Sequence, residues 1–159
     1  FGLGVFVSFL FCQSFVNFNF HFLPDCYDVT DSHAAIDYLL SKGYDEIEIY
    51  GVTGGRLDHF FAVICLLEKY QDIKLKVIDQ QNCIQLLKPG IHHIENKGYY
   101  YFSLFALNES SLSIKQAEYT LDHYHLKREA RLCVNNEVKG QYAIIENSGN
   151  ILLIQSRDA

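Results

Sequence analysis

The chain has 159 residues, a formal net charge of −6 and a pI near 5.6. Its 13 Lys and Arg are scattered, which excludes the clustered basic surface that a nucleic-acid backbone requires. With 49% hydrophobic and 14% aromatic residues the chain can pack a core, so it is no disordered polymer.

The first segment stands apart from the rest. Residues 1–22 hold eight of the twelve phenylalanines and no Lys, Arg, Asp or Glu, and the composition changes abruptly at Pro24-Asp25. The length approaches a membrane span, but Gln13, Asn17, Asn19 and His21 interrupt it and no basic residue flanks it. A positive start and a small-residue cleavage site, the marks of a secretory signal, are missing too. We read residues 1–23 as an anomalous apolar segment foreign to the fold, from truncation or a shifted reading frame. The five cysteines, Cys12, Cys26, Cys65, Cys83 and Cys133, are odd in number and form no C-x-x-C pair. They point to buried thiols in a reducing cytoplasm.

From residue 24 the pattern becomes regular. Thr30 or Asp31 caps a helix running through Ala34, Ala35, Tyr38, Leu39 and Leu40 to Gly43. A strand follows over residues 46–50, where apolar and charged residues alternate. Next comes Gly51-Val52-Thr53-Gly54-Gly55-Arg56-Leu57-Asp58-His59-Phe60, and then Leu57, Phe60, Phe61, Ile64 and Leu67 recur at helical spacing. This is a strand-loop-helix junction suited to anions. Gly54 and Gly55 permit positive φ and close backbone approach, the helix start offers free N–H groups, and Arg56 adds a planar fork of donors. Asp58 is the odd member, because a carboxylate beside phosphate is repulsive unless a metal or a substrate proton lies between them. On spacing alone, a solvated Arg56 and an Asp58 that merely complements the helix dipole explain the stretch equally well.

Two further strands, at residues 75–78 and 83–87, complete an α/β alternation, and Pro89-Gly90 marks a break. Beyond it come short β-type runs at residues 99–105, 111–114, 118–121, 131–134, 141–146 and 151–155. Their spacing predicts a small sandwich. The expected organisation is thus a partial, Rossmann-like α/β domain over residues 24–89 and an all-β sandwich over residues 90–159. His123 and His125, and the pair His92-His93, read as solvated histidines, since no Cys or carboxylate stands at a zinc spacing. Tyr99-Tyr100-Tyr101-Phe102 reads as a strand with one buried face.

Residues 51–59 resemble the G-x-T-G-G-R-x-D-H signature of thiamine pyrophosphokinases. Asp28-Val29-Thr30-Asp31 resembles the same family's T-D pair ahead of a helix, and residues 149–158 resemble its closing strands. The resemblance implies a homodimeric enzyme that transfers diphosphate from ATP to thiamine with Mg²⁺, releasing AMP. It implies that Asp31 and Asp28 hold metal, and that Thr30, Thr53, Gly54, Gly55 and Arg56 handle the phosphates. Asp31, Arg56 and Asp58 become the catalytic set, with Asp58 orienting the thiamine hydroxyl. Asn135 and Asn136, in Cys133-Val134-Asn135-Asn136-Glu137-Val138, fall on the family's S-N-E/T loop near thiamine, with Asn135 where Ser is usual. Three further departures stand out. Nothing in residues 1–27 matches the family's G-D-F-D-S metal motif, Tyr27 replaces a polar residue, and Val63 stands where Asn is usual. The alternative is a catalytically impaired relative that only binds thiamine or dimerises.

Overall fold

Thr30 initiates the first helix of the described structure. Its hydroxyl accepts from the His33 N–H at 3.4 Å, and α1 (Asp31–Ser41) then buries Ala35, Ile36 and Leu39 on one face. The helix ends where Gly43 takes φ +84°, with the Gly43 N–H donating to the Leu40 carbonyl. The computed structural model describes residues 9–12 and 30–159; the reading of residues 1–23 as foreign to the fold therefore lies largely outside the described residues.

The chain divides into two compact units between Asp79 and Gln80. In the first, alternation in β2 (Glu46–Tyr50) buries Ile47 and Ile49 completely, and Leu75 and Val77 do the same in β3 (Lys74–Ile78). The two strands pair in parallel, Ile47 opposite Leu75 and Ile49 opposite Val77. A parallel pair needs a crossover, and α2 (Leu57–Lys69) supplies it. The expected α/β alternation is thus present, but the sheet is mixed, because β1 (Phe9–Cys12) runs antiparallel along β2. The face of α2 also differs from its periodicity. Val63, Leu66 and Leu67 are buried, whereas Leu57 and Phe61 are 79% and 61% exposed.

The second unit is built of antiparallel strands. One layer runs β4 (Asn82–Leu87), β11 (Ile151–Ser156), β6 (Tyr101–Ala106) and β9 (Asn136–Glu137). The other runs β5 (Gly90–Glu95), β10 (Tyr142–Asn147), β7 (Glu109–Lys115) and β8 (Leu121–Lys127). Phe102, Leu104, Ile151 and Leu153 from one layer share a core with Leu112, Ile114, Leu126 and Ile145 from the other. Sequence and structure part in four places. The compact units separate one strand earlier than Pro89-Gly90, because β4 pairs along its length with β11. The edge strands β5 and β8 escape the sequence pattern, since each buries only one residue, Ile94 or Leu126. Residues 118–121 form no strand before Leu121, and residues 131–134 give way to the two-residue β9.

Gly149, which opens the family-like chain end, is required by contact. A Cβ there would lie 2.3 Å from the Glu109 carbonyl oxygen, and the Ser148 and Gly149 N–H groups both donate to Ser110 Oγ, at 3.2 and 3.0 Å. Gly149→Ala must push the turn off β7. We expect a loss of about 1–3 kcal/mol, read as a lower urea midpoint at unchanged m-value.

Candidate functional site

The first candidate site begins where the β2 ladder stops. Gly51 (φ +77°) and Gly54 (φ +81°) turn the chain, and Arg56, in extended conformation, is the N-cap of α2 without lending its side chain to a cap. A Cβ at Gly54 or Gly55 would meet nothing within 4 Å, so packing does not demand either glycine. Gly54 is required by its backbone angle, and the space beside both lets a ligand lie against the main chain. Thr53 is half-buried between them and the strand end.

Arg56 and Asp58 act on each other. Arg56 Nε donates to Asp58 Oδ1 at 3.1 Å and Nη2 donates to Oδ2, a two-pronged ion pair between exposed side chains. Asp58 Oδ1 also accepts from the His59 N–H at 2.9 Å. Hydrogen bonding from Arg56, then from the His59 backbone, holds the Asp58 carboxyl down at about 2 against an ordinary 3.8, and the same pairing raises the Arg56 guanidinium. The carboxylate that looked out of place in an anion loop is the counter-ion of that loop's arginine.

Of the upstream motif, Thr30 spends its hydroxyl on the His33 N–H, and Asp31 is the first residue of α1. The Asp31 side chain, and all of Asp28 and Tyr27, lie outside the described residues. A link between the helices was not foreseen from sequence. Tyr70 donates to Asp37 Oδ1, Lys69 donates to His33 Nε2, and the His33 and Tyr70 rings meet edge to face at 5.9 Å. Burial first, then Asp37, pushes the Tyr70 hydroxyl up, so it remains a donor. Residues 33 and 70 share no local period, which is why no pattern exposed the contact.

The second candidate site lies against β6. Asn136 is 4% exposed, and its carboxamide is occupied by backbone: Oδ1 accepts from the Tyr119 and Glu137 N–H groups, each at 2.9 Å, and Nδ2 donates to the Tyr119 carbonyl at 2.7 Å. Asn135 is exposed and left-handed at φ +57°, a conformation Asn tolerates far better than most residues. Burial pushes the neighbouring Cys133 thiol up, in keeping with a structural rather than reactive cysteine. The other histidines have local partners. His123 Nδ1 meets Asp122 at 2.8 Å, His125 meets Glu109 at 3.4 Å, and His92 meets the Lys88 carbonyl at 2.8 Å. His123 takes a positive φ of 47° within β8. Among the described residues, no group of three or more His, Cys, Asp or Glu could hold a metal ion.

Comparison with known proteins assigns both regions. Residues 15–78 match the family model for the thiamin pyrophosphokinase catalytic domain, and residues 91–152 match that for the thiamin pyrophosphokinase vitamin B1 binding domain. The first match begins inside the Phe-rich segment. Thiamine pyrophosphokinase of Bacillus subtilis is 37% identical over 139 residues, 82% of this chain and 64% of the relative. A crystal structure of the Bacillus subtilis enzyme superposes with TM-score 0.79 at 35% identity, covering 84% of this chain and 65% of that one. Thiamin pyrophosphokinase from Geobacillus thermodenitrificans gives TM-score 0.77 at 31% identity, covering 83% and 63%. The chain therefore spans a little under two thirds of the length of these relatives.

The ion pair sets a pH expectation. Because the Asp58 pKa is depressed, the pairing is complete above the ordinary 3.8 and is lost as pH falls through about 2. A carboxyl-carbon NMR titration should place the Asp58 midpoint near 2 and return it toward 3.8 in Arg56→Ala. An unchanged midpoint in that variant would refute the pairing.

Proposed function

We propose that this chain, which belongs to the thiamin pyrophosphokinase family, transfers diphosphate from ATP to the hydroxyl of thiamine, giving thiamine diphosphate and AMP. The observation that carries this reading is the Arg56–Asp58 pair set in an open glycine loop at the start of α2. A guanidinium fork there fits phosphate oxygens, and the carboxylate two residues on is placed to accept a hydrogen bond from an acceptor hydroxyl. The hydroxyl oxygen attacks the β-phosphorus while the bond from that phosphorus to the α,β-bridging oxygen breaks; AMP departs with that oxygen, and the hydroxyl proton passes to solvent. Arg56 stabilises the charge shifted onto the transferred group. Asp58, a weak base while Arg56 holds it, orients the nucleophile. Thr53, Gly54 and Gly55 line the phosphate path, and Thr30 stands at the start of α1.

Mg²⁺ enters this reading as the companion of ATP. Asp31 and Asp28 are the ligands that the family resemblance points to, and the ion, when bound, would supply positive charge against the phosphates. The partial Rossmann-like description of the first unit belongs to the same reading. It rests on the parallel β2–α2–β3 crossover and on the likeness to the Bacillus structure. In the second unit we assign thiamine to the Asn135–Asn136 loop, which lies within the matched vitamin B1 binding region. We further assign a homodimer and a reducing cytoplasm, the compartment that suits an odd set of cysteines with no C-x-x-C pair.

The test is AMP release from Mg-ATP with and without thiamine. Thiamine-dependent AMP is expected, falling by about 10²-fold or more in Asp58→Ala, the cost of misplacing a reacting group. Thiamine binding without AMP would instead make the chain a non-catalytic member of the family. AMP release indifferent to thiamine would sink the assignment.

A further inference from the structure

The loop before β9 is a β-bulge, and its construction separates what holds the loop from what the loop displays. β6 and β9 pair in register at Tyr101 with Glu137 and at Phe102 with Asn136. Two residues further along β6, the Leu104 N–H donates to the Cys133 carbonyl at 2.8 Å. Two steps on one strand, Phe102 to Leu104, therefore match three on the other, Asn136 to Cys133. The extra residue is accommodated by Asn135 in left-handed conformation, the geometry by which bulges re-aim a side chain. At that point the ladder cannot supply an acceptor for the Asn135 N–H. Ser103 does: its buried hydroxyl accepts that bond at 3.1 Å. Asn136 closes the other side by tying its carboxamide to the backbone of Tyr119 and Glu137.

We propose that Ser103 and Asn136 are positioning residues that lock this bulge, and that Asn135 is the residue that meets the acceptor substrate. Three features support the division. The Asn136 carboxamide already makes three bonds to main chain and is nine-tenths buried, so it has little left to offer a ligand. Asn135 uses its N–H, not its carboxamide, to hold the loop, and its side chain is exposed. Ser103 belongs to no motif in the sequence, yet it supplies the one hydroxyl on which the Asn135 backbone rests. The lock acts by pre-organisation: a loop already in its binding geometry loses less conformational freedom when ligand arrives. The identity of the ligand as thiamine rests on the function proposed above; the lock itself does not.

The experiment follows amide exchange at Asn135 by NMR together with thiamine and ATP binding by calorimetry, in wild type, Ser103→Ala, Ser103→Thr and Asn135→Gly. In Ser103→Ala, exchange at Asn135 should quicken and thiamine affinity fall about fivefold with ATP affinity unchanged, the worth of one hydrogen bond. Ser103→Thr keeps the hydroxyl and should restore both. Asn135→Gly, at home in the left-handed conformation, should leave the neighbouring Asn136 amide protected while thiamine affinity falls. Unchanged exchange in Ser103→Ala overturns the lock. Quickened exchange with unaltered thiamine affinity, or equal loss of thiamine and ATP binding, overturns the positioning role. Wild-type protein that binds ATP but no thiamine overturns the substrate assignment and the role given to Asn135, while the exchange result still decides the lock.

Discussion

Where a β-ladder stops, the backbone groups it was pairing still need partners, and both candidate sites of this chain are shaped by how that need is met. After β2 the chain turns on Gly51 and Gly54, and the Asp58 carboxylate takes the His59 N–H within the first turn of α2. Beside β6 the ladder slips by one residue, and Ser103 and Asn136 accept the N–H groups that are left over. In each case a side chain that reads from sequence as chemistry is also part of the main-chain framework.

The electrostatics of the first site follow from exposure. Arg56 and Asp58 are 68% and 59% exposed, and an ion pair that open to water contributes little to stability and exchanges partners readily. Its value lies in placement. The pair keeps the guanidinium fork at the loop; in the function proposed above, phosphate oxygens displace the carboxylate there and free Asp58 for the acceptor hydroxyl. Tyr70, Asp37, His33 and Lys69 join the two helices elsewhere in the same unit, steadying α1, whose first residue is Asp31.

The second unit gains its stability from a shared apolar core, with Leu112, Ile145, Ile151 and Leu153 fully buried. That rigidity permits a left-handed residue at its rim. Asn135 takes φ +57°, a conformation that Asn tolerates better than most residues.

The sequence by itself determined what depends on neighbours a few residues apart. Alternation at Ile47 and Ile49 marked β2, Thr30 and Gly43 bounded α1, and the glycine-arginine-aspartate spacing marked the loop. Only the tertiary structure decided which groups meet. It consumed the Asn136 carboxamide in backbone contacts and brought Ser103 under Asn135, a residue 32 positions away. It also assigned β4 to the second unit and turned Leu57 and Phe61 outward. The reason is physical: a local period records which side of an element is apolar, whereas strand register and long-range hydrogen bonds depend on partners whose position the period does not contain.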